Sequence, residues 1–367
     1  MMSISVFMFG LFSFCLASFG QQRPYEAVLE LDSPADLPLE RYSTYDRFGR
    51  RITFYLDRLV PEAEPIEALA VTILGSGSYS QFQVQDGRTR FAQRDFLEVL
   101  HARARMLMVE KVGVEFGKQP KLVGTAEGSS LEFRREHTLE RWVEAVSAAL
   151  RAARSLPGMG VRRTLVAGHS EGALVAAAVA ARNGFVTDVA CLAGGGPTQL
   201  FDFFTEARAG LLKQEGRSPT EQLSAVRKRW REIQSHANDA GQMWLGHAYP
   251  YWASFMEASM VEELGRSRAR VFVAQGSRDG VNPRYAVDMV EATLPAKGLD
   301  VTALLVEGAN HGFQFSGPGT SSRDGWREIL ERVVNWFLEK PHVSFIASRC
   351  AVARPIGVVP SIRMPRI

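Results

Sequence analysis

Cysteine is scarce: three residues in 367, none near another. Cys15 falls in an apolar leader, Cys191 in a run with the character of a buried strand, and Cys350 close to the last residue. There is no Cys-x-x-Cys pair and no Cys/His spacing of the kind that holds structural zinc, so a metal-built scaffold is not expected. An odd count so placed also argues against a disulfide framework. Charge of one sign is equally scarce, with 43 Lys and Arg against 40 Asp and Glu and a net charge of +3. No long basic run is interleaved with aromatics, which makes nucleic acid a poor candidate partner. Outside the short leader no apolar run approaches the length of a membrane span, and no stable membrane insertion is expected from the rest. The 46% apolar and 23% charged fractions are those of a soluble globular protein.

What is present is an alternation. Arg51 to Leu56 alternates as a half-buried strand does. Ala68 to Leu74 is continuously apolar, as a central parallel strand would be, and ends in Gly75-Ser76-Gly77-Ser78. Arg105 to Glu110 reads as a further strand. Thr138 then stands where a helix cap is needed, before apolar residues at Leu139, Val143, Val146 and Leu150. Strands are expected again at Val186 to Leu192, Arg270 to Gln275 and Val301 to Val306, and a helix at Asp324 to Lys340. Strand and helix in turn predict an α/β fold with a mainly parallel sheet and helices on both faces.

The chain turns on one short stretch. The β-prone residues Thr164 to Ala167 run into Gly168-His169-Ser170-Glu171-Gly172, and the alanine-rich run Ala173 to Ala181 leaves it. A strand that passes at once into a helix needs small residues at the corner, and the two glycines supply them. The residue at the apex is then exposed above the sheet at a helix N-terminus, the arrangement of a nucleophile elbow. The bare Gly-x-Ser-x-Gly pattern is weak; the strand before it and the helix after it give it meaning.

Together with Gly276-Ser277-Arg278-Asp279-Gly280 and Glu307-Gly308-Ala309-Asn310-His311-Gly312-Phe313, this elbow resembles the α/β-hydrolase superfamily. The resemblance runs from the strand at Arg51 to the helix ending near Lys340. It is greatest to bacterial serine esterases and to the dienelactone-hydrolase-like and prolyl-oligopeptidase-like branches. It implies that Ser170 is the nucleophile, Asp279 the triad acid and His311 the base, in the chain order the fold requires. It also implies an oxyanion hole made by the backbone N–H groups of Ser76, with Gly77 as its neighbouring candidate, and of Glu171. Leu74 departs from the histidine the family often has before that loop. Lys111 to Lys118 stands where an Asp-x-Arg-Gly-x-Gly loop is common. His169, beside the nucleophile, is expected to pack beneath the elbow. No metal and no organic cofactor is needed by such a mechanism.

Residues 24–197 and 269–340 are thus expected to form the hydrolase core and 198–268 an inserted helical cap, with helices over Leu200–Leu212, Pro219–Ser235 and Tyr251–Leu264 and no strand. The cap's aromatics, Trp244 and Phe255 among them, are candidates for an apolar substrate pocket. Carboxylic esters are the expected substrates, and a small-molecule ester the expected partner. A thioesterase, a peptidase or an acyltransferase would use the same triad, and a catalytically inactive binding protein would share the fold. No repeat array precedes the hydrolase-like segment, which makes a propeller-bearing oligopeptidase the less expected reading. Residues 1–20 have signal-peptide anatomy, with Ser18 and Gly20 placed for cleavage before Gln21, although no Lys or Arg precedes the apolar run. Export to the periplasm or beyond is expected; an uncleaved anchor, or a cytoplasmic protein with a misassigned start, are the alternatives. The basic tail 341–367 is expected to be loosely ordered.

Overall fold

The computed structural model describes residues 25–30, 37–58, 67–101, 103–282, 285–317 and 320–339. The leader at 1–20 and the tail at 341–367, with the expectations attached to them, lie outside the described residues.

Nine strands make one sheet: β1 (Val28–Leu29), β2 (Leu39–Tyr45), β3 (Arg51–Asp57), β4 (Ala68–Ile73), β5 (Arg105–Val109), β6 (Arg163–His169), β7 (Asp188–Leu192), β8 (Arg270–Gly276) and β9 (Val301–Val306). Their spatial order is β1-β2-β3-β5-β4-β6-β7-β8-β9. The first three pair antiparallel, and β3 also meets β5 antiparallel. From β5 to β9 every pairing is parallel. The sheet is therefore mixed and mostly parallel, as the alternation predicts.

The central strands are buried on both faces, which is why they read as unbroken apolar runs. Leu69, Val71 and Ile73 of β4 point to one side, where they join α3 (Leu139–Arg154), α4 (Glu171–Arg182), α7 (Tyr249–Phe255), α8 (Met260–Arg266) and α9 (Tyr285–Thr293). Ala68 and Ala70 point to the other, towards α1 (Arg94–Leu100) and α10 (Trp326–Leu338). The period of two along each strand thus sorts the core into two layers. Thr138 does cap α3, its hydroxyl accepting the Arg141 N–H at 3.4 Å.

Residues 198–268 differ in detail from the sequence reading. They hold α5 (Gln199–Arg208), α6 (Pro219–Ser235), α7 and α8, but also a two-stranded hairpin of Met243–Trp244 against His247–Ala248. The run expected as one helix over Tyr251–Leu264 is two. Ser259 breaks it by capping α8, its side chain accepting the Glu262 N–H. Met260, Val261 and Leu264 of α8 are buried in the main core with α4, so this last helix packs as part of the core layer. Two more hairpins stand off the sheet, Phe82–Gln85 with Arg88–Phe91 and Gln314–Gly317 with Thr320–Asp324. Among the described residues no helix is long and apolar enough to cross a membrane.

Candidate active site

β6 ends in the elbow, and the elbow's glycines are fixed by contact distance. A Cβ on Gly168 would lie 1.9 Å from the Gly172 carbonyl oxygen, and one on Gly172 would lie 2.3 Å from the Ile73 carbonyl oxygen. No side chain fits at either place. Ser170 sits between them at φ 58°, ψ −123°, outside the regions open to L-residues without strain. Its N–H is anchored to the Leu192 carbonyl at 2.9 Å. Ser170 is the N-cap of α4 and lines a cavity of about 400 Å³.

His311 and Asp279 meet as the chain order predicts. His311 Nδ1 lies 3.0 Å and 2.9 Å from the two Asp279 carboxylate oxygens. The Asp279 side chain has no solvent exposure, while His311 retains 22%. Asp279 also accepts the N–H groups of Val281 at 2.8 Å and Asn282 at 2.9 Å, so its own loop holds it. The two loops are pressed together, since a Cβ on Gly276 would come 2.4 Å from the Ala309 carbonyl oxygen. Asn310 shapes the base loop by accepting the N–H groups of Gly312 and Gln314. Asp279 and His311 are joined, then, but no hydrogen bond joins His311 to Ser170 Oγ in this structure.

Ser76 and Glu171 both line the cavity beside Ser170. Gly75 packs directly on the nucleophile, for a Cβ there would lie 3.2 Å from Ser170 Cβ. Among the described residues no backbone carbonyl takes the N–H of Ser76 or of Glu171. The loop after β4 and the first residue of α4 therefore hold two backbone donors without a backbone acceptor, on residues that line one cavity with Ser170.

Several supporting residues were not legible in the sequence. Gln275, fully buried, donates from Nε2 to Asp279 Oδ2 at 2.6 Å and to the Asn282 carbonyl at 3.2 Å. His169 does not simply pack beneath the elbow, because its Nε2 reaches the His311 carbonyl. Burial lowers its pKa to about 4, which keeps the ring neutral. Asp202 and Glu206, one turn apart on α5, line the cavity. Burial raises both carboxyls, and the neighbouring Asp202 raises Glu206 further. Of the cap aromatics, Phe203, Tyr251, Trp252 and Phe255 face the cavity, whereas Trp244 packs against Phe203 and Trp252 behind it.

Solved structures share this architecture. An acylaminoacyl peptidase in complex with Z-Gly-Gly-Phe-chloromethyl ketone superposes with a TM-score of 0.53 at 13% identity, over 83% of this chain and 42% of that one. An acetyl xylan esterase from Paenibacillus sp. R4 gives 0.52 at 14% identity, over 85% and 88%. Dipeptidyl peptidase 4 from Porphyromonas gingivalis gives 0.52 at 14% identity, over 82% of this chain and 35% of the peptidase. The fold of this chain is the α/β-hydrolase fold. The chain spans less than half the length of the two peptidases it resembles and most of the length of the esterase. No family model matches the sequence, and none of the curated proteins is similar to it.

Proposed function

We propose that the chain is a serine hydrolase that cleaves carboxylic esters through an acyl-enzyme. The observation that carries this reading is the strained Ser170 on an α/β-hydrolase elbow that opens on a cavity, in a fold where His311 is paired with Asp279. A serine hydroxyl attacks only when a base removes its proton, and His311 takes that role in this reading. Catalytic hydrogen bonds of this kind tighten when a substrate seats. Asp279 fixes Nδ1 as the protonated nitrogen, leaving Nε2 free to accept, and stabilises the imidazolium that results. The N–H groups of Ser76 and Glu171 receive the charge that develops on the carbonyl oxygen; one such donor contributes about 3 kcal/mol to the transition state. Residues 198–268 act as the lid that shapes the acyl site.

The ester reading takes up the partly apolar lining beside Ser170, where Leu174, Phe203, Trp252 and Phe255 suit an acyl chain. Two tests decide it. A fluorophosphonate probe should label Ser170 in the wild type and nothing in Ser170→Ala. A panel of p-nitrophenyl esters of graded chain length should be turned over, and peptide p-nitroanilides should not. Labelling that persists in Ser170→Ala would place the nucleophile elsewhere, and faster turnover of the anilides would make the protein a peptidase.

A further inference from the structure

The reaction outlined above uses the backbone of Glu171 and of the loop at Ser76 but none of the charged side chains beneath them. Those side chains form a buried cluster. Lys111 Nζ, 4% exposed, donates to the Gly75 carbonyl at 2.6 Å and to the Gly77 carbonyl at 3.1 Å, and stands 3.5 Å from Glu171 Oε1. Tyr79 adds a second donor to Gly75 O at 2.8 Å. The Glu171 carboxylate, 2% exposed, also meets His137 Nε2 at 3.1 Å. Burial alone would raise the Glu171 carboxyl, but Lys111 and His137 outweigh it and hold the group well below the usual carboxylate range.

Two features set this cluster apart from an ordinary buried ion pair. Removing an ammonium and a carboxylate from water costs more than their attraction commonly returns, and an apolar pair of the same volume is often as stable. Stability alone is thus a weak reason for Lys111. Its placement gives a better one. In a trans peptide the carbonyl of one residue and the N–H of the next point in opposite directions. Pinning the Gly75 carbonyl therefore aims the Ser76 N–H away from Lys111, and Ser76 lines the same cavity as Ser170. The same ammonium is paired with the residue whose own N–H is the other donor.

We propose that Lys111 and Glu171 form a cross-tie that fixes the two backbone donors of the oxyanion hole relative to each other, with Lys111 as a positioning residue for acyl transfer. The inference rests on the serine-hydrolase reading. In the step it serves, Ser170 Oγ bonds to the carbonyl carbon while its proton passes to His311. The carbonyl π pair moves onto oxygen, between the N–H groups of Ser76 and Glu171. Collapse returns that pair, and the leaving oxygen departs with the proton from His311. Only the middle of this sequence carries the oxyanion, so the cross-tie matters there and little in substrate binding.

The test uses the full chain, p-nitrophenyl acetate, and an alkyl trifluoromethyl ketone that adds to the serine as a tetrahedral oxyanion. Lys111→Met keeps the stem and removes the donors. Its kcat should fall roughly 10- to 100-fold with KM within about two-fold of wild type, and its affinity for the ketone should fall by a similar factor. Glu171→Gln keeps volume and hydrogen bonding and cuts the charge, and should move the same two quantities in the same direction by a smaller factor. A folded Lys111→Met whose kcat and ketone affinity match wild type would overturn the cross-tie, as would a loss carried by KM alone. Should Lys111→Met fail to fold by thermal melting, Glu171→Gln decides: unchanged kcat and ketone affinity overturn the proposal, and a parallel fall in both supports it. A wild type that neither hydrolyses the ester nor is labelled at Ser170 removes the hydrolase reading, and this inference with it; an active wild type with an equally active Lys111→Met removes the cross-tie alone.

Discussion

His169 Nε2 donates to the main-chain carbonyl of His311 at 2.9 Å, across 142 positions of sequence. Their rings lie 4.9 Å apart, and Trp326 closes the other side of His169 edge-on at 5.2 Å. The residue before Ser170 thereby brackets the loop that carries His311.

His169→Phe keeps a ring in this place and removes the donor. It leaves the His311 carbonyl short of a partner, so unfolding free energy should drop by about 1–2 kcal/mol. If the bracket sets the height of His311 over Ser170, kcat should fall several-fold as well. Steady-state kinetics beside urea denaturation separate the two, since an undiminished kcat would reduce the bracket to a stability contact.

Gln275 holds Asp279 from behind, 2.6 Å from Oδ2. Gln275→Leu deletes that donor and frees the carboxylate to turn. The expected result is a loss of roughly 1–3 kcal/mol in stability and a fall in kcat with little change in KM. Unaltered kcat in a folded variant would show that the Val281 and Asn282 N–H groups suffice.

No cationic side chain meets Glu206 among the described residues, and with Asp202 it gives the cavity an acidic wall. Esters with an anionic acyl group should therefore react more slowly than neutral ones of equal length. Glu206→Gln should narrow the gap in kcat/KM by roughly 3- to 10-fold, the effect of about 1 kcal/mol of repulsion between charges ~4 Å apart in a water-like medium. An unchanged ratio between p-nitrophenyl hemisuccinate and p-nitrophenyl butyrate would remove the acidic wall from the specificity.

The aromatics divide by burial. Phe255 is 1% exposed and sits in the main core, so Phe255→Ala should cost about 3–5 kcal/mol and show up first in the melting temperature. Phe203 is only partly buried at the cavity wall. Phe203→Ala should reorder preference among acyl chain lengths while Ser170 is still labelled by the probe. If Phe203→Ala leaves the ester ranking as it was, the acyl site is built from other residues.

Acid should destabilise the fold through its buried histidines. Burial lowers His247 to about 4, with Glu171 opposing and His137 and Lys111 assisting. Above pH 6.5 the ring is neutral in both folded and unfolded chains. Between 6.5 and 4 the unfolded chain takes up a proton that the folded ring refuses, so stability is lost as pH falls through that window, by up to about 3 kcal/mol. His247→Phe should lessen the pH dependence of urea unfolding between 6.5 and 4, with His169, also held near 4, keeping part of it; an equally steep slope would assign it to other groups.

Much of this was legible in the residues. Glycines at 168 and 172 declare a corner because no other residue fits 1.9 Å and 2.3 Å from carbonyl oxygens. Apolar runs such as Ala68–Ile73 announce strands covered on both faces. Asp279 and His311 follow from where strands end. Lys111, His137 and Gln275 did not announce themselves, since their roles depend on contacts made over 34 to 60 positions or on one buried acceptor, and no local pattern encodes those. For the same reason Lys111 read only as a departure from a common loop. The break at Ser259 was hidden because the apolar spacing continues past it, while the capping serine that ends the run is a single polar residue.

The Gly172–Ile73 contact has one more consequence. With no room for even a methyl group between elbow and central strand, position 172 can carry only glycine. The turn that holds Ser170 is thus tied to the core of the sheet: β4 cannot shift towards α4 without meeting its backbone, so the backbone of the elbow moves with the sheet and not with the side chains that line the cavity.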